Sequence, residues 1–270
     1  MARRPTHSRP GVAVARHALR QERVRLGVIG SIVALYAAAN VIGFRDSYPT
    51  LAGRTRFAAA FKDDLALRLF YGIPHDLATV GGYTEFRCVG MMSVLVAGWA
   101  MFAAVRALRG EEDDGRFELI LAGALTRRAA SGAVLVALAI DCVAIWIATS
   151  LALLASGTAY GDLSVAGALL LALAVVAPGL LFAALGALAC QIAATHRGAH
   201  GLCGALIAAA LLVRIIGDLA SGASWLRWAT PFGWGEELRP VTGPAPAVFA
   251  LFAAATLLAA GGALAIAARR

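Results

Sequence analysis

Long, uninterrupted apolar runs are the feature of this sequence that most restricts its fold. The run from Ala129 to Leu154 exceeds the ~20 apolar residues that a helix needs to cross a hydrocarbon core of ~30 Å, and several such runs follow one another. Only 15% of the 270 residues are charged, whereas soluble domains carry ~25%. The sequence therefore predicts an all-α membrane protein with several spans.

Six of these runs can each form one transmembrane helix. An even number of spans places both chain ends on the same side of the membrane. If that side is the cytoplasm, the inside segments contain 15 Lys and Arg residues and the outside segments contain eight, as the positive-inside rule requires. We therefore expect six transmembrane helices with cytoplasmic N and C termini. The predicted spans cover residues 26–44, 88–105, 129–156, 165–194, 202–220 and 245–268.

The chain divides into a basic tail, residues 1–25, and one membrane domain, residues 26–270. The tail carries seven arginines against a single acid, Glu22. Between residues 12 and 25 the apolar side chains fall on one helical face and the arginines on the other, which predicts a helix on the cytoplasmic membrane surface. A disordered basic tail is the alternative. Because the excess basic charge lies in this tail and not on a soluble module, we expect no nucleic-acid partner.

Two longer segments between spans, residues 45–87 and 221–246, are predicted to lie on the outer side of the membrane. Residues 55–71 have an amphipathic pattern that predicts a helix against the outer membrane surface, ended by the breakers Gly72, Pro74, Gly81 and Gly82. The second segment holds three of the five tryptophans and four prolines. It predicts short broken helices that dip into the outer leaflet; an aromatic belt at the headgroup level is the alternative.

Motifs of soluble enzymes are absent from the sequence. It contains no G-x-S-x-G, no H-E-x-x-H and no G-x-x-x-x-G-K-[ST], and its single lysine, Lys62, is not in a glycine-rich loop. The four cysteines lie in or beside apolar runs without a C-x-x-C pair, which favours apolar packing. We therefore expect neither enzymatic activity nor a metal or cofactor in this chain.

The inside loop, residues 106–128, combines charge and apolar surface in an unusual way. Four successive acids at 111–114 precede Gly115, and a short amphipathic helix follows. Five basic and five acidic groups balance over the loop, so attraction to anionic lipid does not explain it. The apolar residues Phe117, Leu119, Ile120 and Leu121 suit the groove of a protein partner. A solvated loop that only links two spans is the alternative.

Ionisable residues inside the predicted spans are few. Asp141 lies in the third span, and Arg214 and Asp218 lie in the fifth. Each costs ~2.5–3.5 kcal/mol at the centre of a bilayer, so each needs a partner or a water-lined surface. Arg214 and Asp218 are four residues apart and can pair on one helix face. Asp141 has no partner nearby in sequence and is the candidate for a substrate path or an interhelical contact.

Four stretches of the sequence resemble the permease subunits of ABC-2 type exporters. The resemblance is to the actinobacterial group described as exporters of polyketide antibiotics, the tetronasin type. It covers most of the chain. The stretches are YPT at 48–50, LFYGIPHDLATVGGYTEFR at 69–87, RGEEDDGRFELILAGALTRR at 109–128 and TPFGWGEELRP at 230–240.

The resemblance implies a six-helix permease in a bacterial plasma membrane that pairs with a second permease copy or sister permease. A separate cytoplasmic ABC ATPase would bind ATP and Mg and contact the tail and the inside loop. Members of this group often fuse two such halves, so this chain resembles a half-size form. The implied ATPase-coupling positions are Glu111, Glu112, Gly115, Arg116, Phe117 and Glu118. The implied outside motif consists of Pro231, Gly233, Trp234, Arg239 and Pro240.

Three functions are consistent with these patterns. The first is an ABC exporter permease that takes an amphipathic or lipophilic, antibiotic-like compound from the inner leaflet, as the resemblance implies. The second is a proton-coupled secondary carrier that uses Asp141 and the Arg214/Asp218 pair. The third is a membrane scaffold or immunity protein that transports nothing. A six-span bundle alone does not choose among them, because one fold can host many functions.

Overall fold

The computed structural model of the protein describes residues 10–110, 126–160, 162–220 and 222–269, and these residues are mainly helical. The π-helical turn Arg106–Gly110 extends the fourth helix, and 3-10 turns occur at Thr158–Tyr160 and Ser224–Ala229. In chain order the α-helices are α1 (Pro10–Ser47), α2 (Leu51–Phe61), α3 (Leu65–Tyr71), α4 (Val80–Val105), α5 (Arg127–Ser156), α6 (Val165–Ile192), α7 (His196–Leu219), α8 (Pro231–Glu237) and α9 (Pro246–Ala267).

Six helices among the described residues are long and apolar enough to cross a membrane. This finding confirms the predicted six-span, all-α membrane fold; the side on which the termini lie stays a prediction. The candidate spans are Glu22–Ser47, Val80–Arg109, Arg127–Ser156, Val165–Ile192, His196–Leu219 and Pro246–Ala267.

Helices α4 and α6 form the centre of the bundle. Their most apolar windows are each 72% buried within the protein, compared with 22% for α7 and 17% for α9. Helix α1 packs along α5, and α9 packs on α6. At the α4–α6 contact a Cβ on Gly186 would lie 2.6 Å from the carbonyl oxygen of Met101, so the missing side chain allows the two backbones to approach closely.

The end of the bundle that is predicted to face outward carries a cap, which we define as residues 48–79 and 222–245. It contains α2, α3, the 3-10 turn Ser224–Ala229 and α8. The short broken helices predicted for 221–246 are therefore present. The opposite end, the base, brings together the start of the α1 span, the π-helical turn and the end of α6.

The structure corrects the predicted start of the second span. The second span begins at Val80 and not at residue 88, and Gly81 and Gly82 are helical instead of breaking the chain. Thr79 caps this helix by accepting a hydrogen bond from the Gly82 N–H at 3.0 Å. The first two turns of this helix contain polar residues. The apolar run that predicted the span therefore begins only at residue 88.

The single helix predicted for residues 55–71 is instead two helices, α2 and α3. The Asp64 carboxylate accepts a hydrogen bond from the Leu67 N–H at 2.9 Å and thereby starts a new helix. Leu65 and Phe70 on α3 are exposed, as expected of a helix at an apolar boundary. Its position on the outer membrane surface stays a prediction.

Helix α1 runs without a break from Pro10 through the first span to Ser47. The described part of the basic tail, residues 10–25, is therefore helical and continuous with the span. Whether it lies on the cytoplasmic membrane surface stays a prediction. The fifth span, like the second, begins earlier than predicted, at His196 after the N-cap Thr195.

Candidate functional site

The six proposed coupling positions lie outside the residues that the structure describes. They are Glu111, Glu112, Gly115, Arg116, Phe117 and Glu118. The two ends of their loop are described. The loop leaves the membrane domain through the π-helical turn Arg106–Gly110 and returns at Thr126, whose hydroxyl caps α5 by accepting a hydrogen bond from the Ala129 N–H at 3.2 Å.

An ion pair with a buried carboxylate ties the start of this loop to the first span. The Glu22 side chain is only 5% exposed, although its helix begins in a basic segment. The Arg106 guanidinium donates from Nε to Oε1 at 3.1 Å and from Nη2 to Oε2 at 3.0 Å. Arg25 donates to Oε1 at 3.0 Å from within the same helix. Arg106 thus bridges α4 and α1 with the two-pronged geometry that suits guanidinium and carboxylate.

A second arginine ties the same turn to the fourth span. Arg109 donates from Nε to the carbonyl oxygen of Cys190 at 3.0 Å and from Nη2 to those of Cys190 and Ala193 at 2.6 and 2.5 Å. The last carbonyl groups of a helix have no partner within the helix, and a cation near them is stabilising. Arg109 therefore fixes the loop's start to the end of α6.

Asp141 lies on the buried face of α5. It shares the face with Val134, Leu138 and Ile145, and only 2% of the residue is exposed. Among the described residues its carboxylate has no hydrogen bond or ion pair. A buried acid without a partner is costly in a membrane, so Asp141 remains a candidate for a functional contact.

Arg214 and Asp218 form a buried cluster with a third residue, Glu236 of α8. Arg214 Nε lies 2.8 Å from Asp218 Oδ2 and donates a hydrogen bond to Glu236 Oε1. Arg214 Nη1 also donates to the carbonyl oxygen of Leu69 at 3.2 Å. These three side chains are at most 6% exposed. We call Arg214, Asp218 and Glu236 the cap cluster, because it joins α7 to α3 and α8.

The cap cluster contains two carboxyl groups for one guanidinium. Burial raises the pKa of Glu236 to about 8, against the lowering effect of Arg214 and with a further rise from the neighbouring Asp218 carboxylate. Protonated Glu236 leaves the charges of Arg214 and Asp218 balanced near neutral pH. The Glu236 and Asp218 carboxyl groups also share a side-chain hydrogen bond.

Gly72 permits the close packing of the cap cluster. Its φ is +92°, and a Cβ there would lie 2.2 Å from Glu236 Oε1 and 2.6 Å from Arg214 Nη2. Residues with a side chain rarely adopt such a positive φ. Glycine at this position therefore serves both the turn after α3 and the space that the cluster needs.

Glu85 of α4 joins the cap to the second span. Its Oε2 accepts hydrogen bonds from the N–H groups of Val241 and Thr242 at 2.6 and 3.0 Å, and its Oε1 accepts one from the Thr242 hydroxyl at 2.7 Å. Each carboxylate oxygen is thus used by the turn that precedes α9. This contact holds the cap end of α4 against the turn before α9.

Three residues of the predicted outside motif shape α8. Pro231 is in its first turn, where a missing N–H breaks no hydrogen bond. A Cβ on Gly233 would lie 2.2 Å from the carbonyl oxygen of Arg227. Trp234 Nε1 donates to the carbonyl oxygen of Trp228 at 2.7 Å. These residues fold α8 back onto the preceding 3-10 turn.

The other two motif residues, Arg239 and Pro240, lie in the turn after α8. Arg239 Nη2 donates to Glu237 Oε2 at 2.7 Å. Pro240 lines a cavity of about 20 Å³ together with His75 and Glu236, which is room for about one water molecule. Burial and the nearby Arg239 guanidinium lower the pKa of His75. The motif residues thus build the cap.

An apolar groove of about 370 Å³ lies between α6 and α9. No charged side chain lines it. Its polar side chain, Thr256, donates its hydroxyl hydrogen to the carbonyl oxygen of Phe252 at 2.7 Å and is already satisfied. The lining residues are Leu173, Ala177, Leu180, Phe249, Phe252, Ala253, Thr256 and Leu257.

Sequence reasoning missed three acids that the structure places at these contacts: Glu22, Glu85 and Glu236. Glu22 carried a signal, since it is the single acid among the arginines of the tail. Glu85 and Glu236 lie beside aromatic and glycine residues within the stretches that carry the family resemblance. No pattern in the sequence indicated that Glu236 pairs with Arg214.

The fold is that of a multi-pass membrane protein with ion-paired, buried carboxyl groups at both ends of its bundle. Residues 18–266 match the family described as "Multidrug efflux system permease Rv1217c, C-terminal domain", and the chain belongs to this family. It is 31% identical over 229 residues to the multidrug efflux system permease protein Rv1217c of Mycobacterium tuberculosis. That match covers 83% of this chain and 40% of the relative, so the chain spans less than half of the relative's length.

Proposed function

We propose that this chain is the permease subunit of an ATP-driven ABC exporter that moves a lipophilic or amphipathic, drug-like compound out of the cell. The observation that carries the proposal is the family match over residues 18–266 to a domain of a multidrug efflux permease. A separate ATPase chain supplies the energy, with ATP and Mg bound on that partner. The chain itself is a transporter subunit and not an enzyme.

The partner within the membrane is a second permease half, either another copy of this chain or a sister permease. The family description refers to the C-terminal domain of a permease, and the relative is more than twice as long as the matched region. The low burial of α7 and α9 leaves apolar surface for lipid or for this second half. A complete transporter would then contain two halves and two ATPases.

The contact with the ATPase is the loop 106–128, with Glu111, Glu112, Gly115, Arg116 and Glu118 as coupling positions and Phe117 as the apolar anchor. ATP binding shifts the permease between inward-open and outward-open states only if the ATPase contacts these states differently. A charged, amphipathic loop at the base is suited to such a contact.

The substrate class follows from the lining of the membrane domain. The groove between α6 and α9 offers the rings of Phe249 and Phe252 and no charge, and apolar surface of this kind favours an uncharged, lipophilic group. Export of a polyketide antibiotic is the specific form of the proposal that the sequence resemblance suggests.

The proposal is tested by purifying the tagged protein from membranes of its own host in mild detergent and identifying stoichiometric partners. We expect a protein with G-x-x-x-x-G-K-[ST]. Vesicles containing both chains should then expel a fluorescent lipophilic dye on addition of MgATP. Arg116→Glu should abolish this efflux, whereas Arg56→Glu, on the exposed face of α2, is the matched control and should not. Purification without an ATPase, or ATP-independent efflux, would refute the proposal.

A proton-coupled secondary carrier is the second candidate, favoured by Asp141, which is buried and has no partner among the described residues. Such a carrier needs no ATPase. Efflux that stops when the proton gradient collapses while ATP stays high, and that Asp141→Asn abolishes, would support it. Efflux that continues without a proton gradient would exclude it.

A further inference from the structure

The π-helical turn Arg106–Gly110 is held by two different helices at once. Arg106 binds Glu22 of α1, 84 residues away in sequence, and Arg109 binds carbonyl groups at the end of α6, 81 and 84 residues away. These contacts lie at the base, where the loop 106–128 leaves the membrane domain. The turn therefore connects α4 to spans one and four.

The Glu22–Arg106 contact is built to resist rotation. Two parallel hydrogen bonds between a planar guanidinium and a carboxylate fix direction as well as distance. Arg25 donates a further hydrogen bond to Glu22 Oε1 at 3.0 Å. Glu22 therefore accepts three hydrogen bonds, and both of its carboxylate oxygens have partners. The buried position of Glu22 limits the competition from water that weakens exposed pairs.

The local backbone separates the two arginines. In an α-helix, residues three apart are neighbours on one face. The i→i+5 hydrogen bonds of a π-helix widen the turn, so Arg106 and Arg109 reach different helices from one short segment. A single α-helical turn would direct both side chains toward nearly the same neighbour.

We propose that Glu22, Arg106 and Arg109 form a rigid joint that transmits displacement of the loop 106–128 to α1 and α6. The proposal rests on the function proposed above, because the displacement comes from the partner ATPase. The three residues are positioning residues that touch neither ATP nor substrate. Without the joint, the loop would still bind its partner, but its movement would no longer reorient the spans.

The test compares Arg106→Gln with Arg25→Gln in vesicles that contain the permease and its ATPase. Arg106→Gln removes two hydrogen bonds to Glu22 that bridge two helices. Arg25→Gln removes one hydrogen bond to the same carboxylate from within α1 and is the control. We expect Arg106→Gln to lower the substrate moved per ATP hydrolysed at least tenfold while ATPase association is kept. Arg25→Gln should change this ratio less than twofold, and Arg109→Gln should behave like Arg106→Gln.

Normal transport per ATP in Arg106→Gln would overturn the proposal. An Arg106→Lys variant that loses thermal stability but transports normally per folded molecule would also overturn it. In that case Arg106 would only stabilise the fold.

Failure of the proposed function is recognised separately, since wild-type vesicles would then show no ATP-dependent efflux. Hydrogen exchange still tests the joint in that case. Arg106→Gln should speed amide exchange at least tenfold in residues 106–110 and at the end of α6, and Arg25→Gln should not. Equal exchange in Arg106→Gln and wild type would overturn the rigid joint.

Discussion

Removal of the Arg214 side chain is the sharpest test of the cap cluster. In Arg214→Met, the Asp218 and Glu236 carboxyl groups stay buried, with side chains 0% and 6% exposed, but lose their cation. Breaking a buried ion pair from one side costs about 3–5 kcal/mol, because the remaining charge has no compensation. The carbonyl oxygen of Leu69 also loses a donor. We therefore expect a loss near the upper end of this range.

The measurement is a thermal melt in detergent with a fluorogenic thiol dye. All four cysteines are buried, so the dye reacts as the bundle opens. At roughly 2–4 °C per kcal/mol for a chain of this size, a loss of about 5 kcal/mol should lower the midpoint by roughly 10–20 °C. The wild-type protein and Arg56→Met, which removes an exposed arginine of the cap, provide the reference melts.

Glu236→Gln is the matched control for the charge argument. Because the raised pKa of Glu236 leaves this group mostly protonated at neutral pH, a neutral amide of similar shape should change stability by about 1 kcal/mol or less. An Arg214→Met melting midpoint equal to that of the wild-type protein would refute the reasoning. So would a Glu236→Gln melt as low as that of Arg214→Met, because the buried cluster would then need a charged Glu236.

Three further predictions follow from the cap. Stability should fall as the pH rises from about 5 to about 8, since the folded pKa of Glu236 lies near 8 and its ordinary value is 4.5, so the folded state binds the extra proton; Glu236→Gln should flatten this dependence in melts across pH. Gly72→Ala should destabilise by about 2 kcal/mol or more through its positive φ and its contact with Glu236, whereas Gly98→Ala, with nothing within 4 Å of the new Cβ, should be neutral or slightly stabilising in the same melts. Glu85→Ala should cost about 2–3 kcal/mol, because two N–H groups and a hydroxyl lose their acceptor; an unchanged melt would contradict it.

The apolar runs were sufficient to predict six spans, because a helix that crosses a hydrocarbon core must consist mainly of apolar residues. Their ends were predicted less well where polar groups lie inside the helix. Glu85 and Thr84 in the first turns of α4 are satisfied by long-range or local hydrogen bonds, so the helix continues through residues that resemble a loop.

The charged contacts could be predicted only when the partners are close in sequence. The spacing of Arg214 and Asp218 indicated a pair on one face. Glu236, which lies 22 residues after Arg214, joins them only because the chain turns back between α7 and α8. The bond between Glu22 and Arg106 spans 84 residues and depends on the packing of two helices, which no periodicity in one segment reports.

Glu85 also imposes an order on the synthesis of the protein. Its carboxylate accepts hydrogen bonds from N–H groups that lie 156 and 157 residues further along the chain, so these donors are synthesised later. At ~5–20 residues per second, translation needs roughly 8–30 s to produce them. Throughout that interval the second span holds an acid without its final partners, at the end predicted to be already across the membrane. The cap can close only once residues 241 and 242 have been made, so a chain that stops short of residue 242 should remain open to proteases on that side.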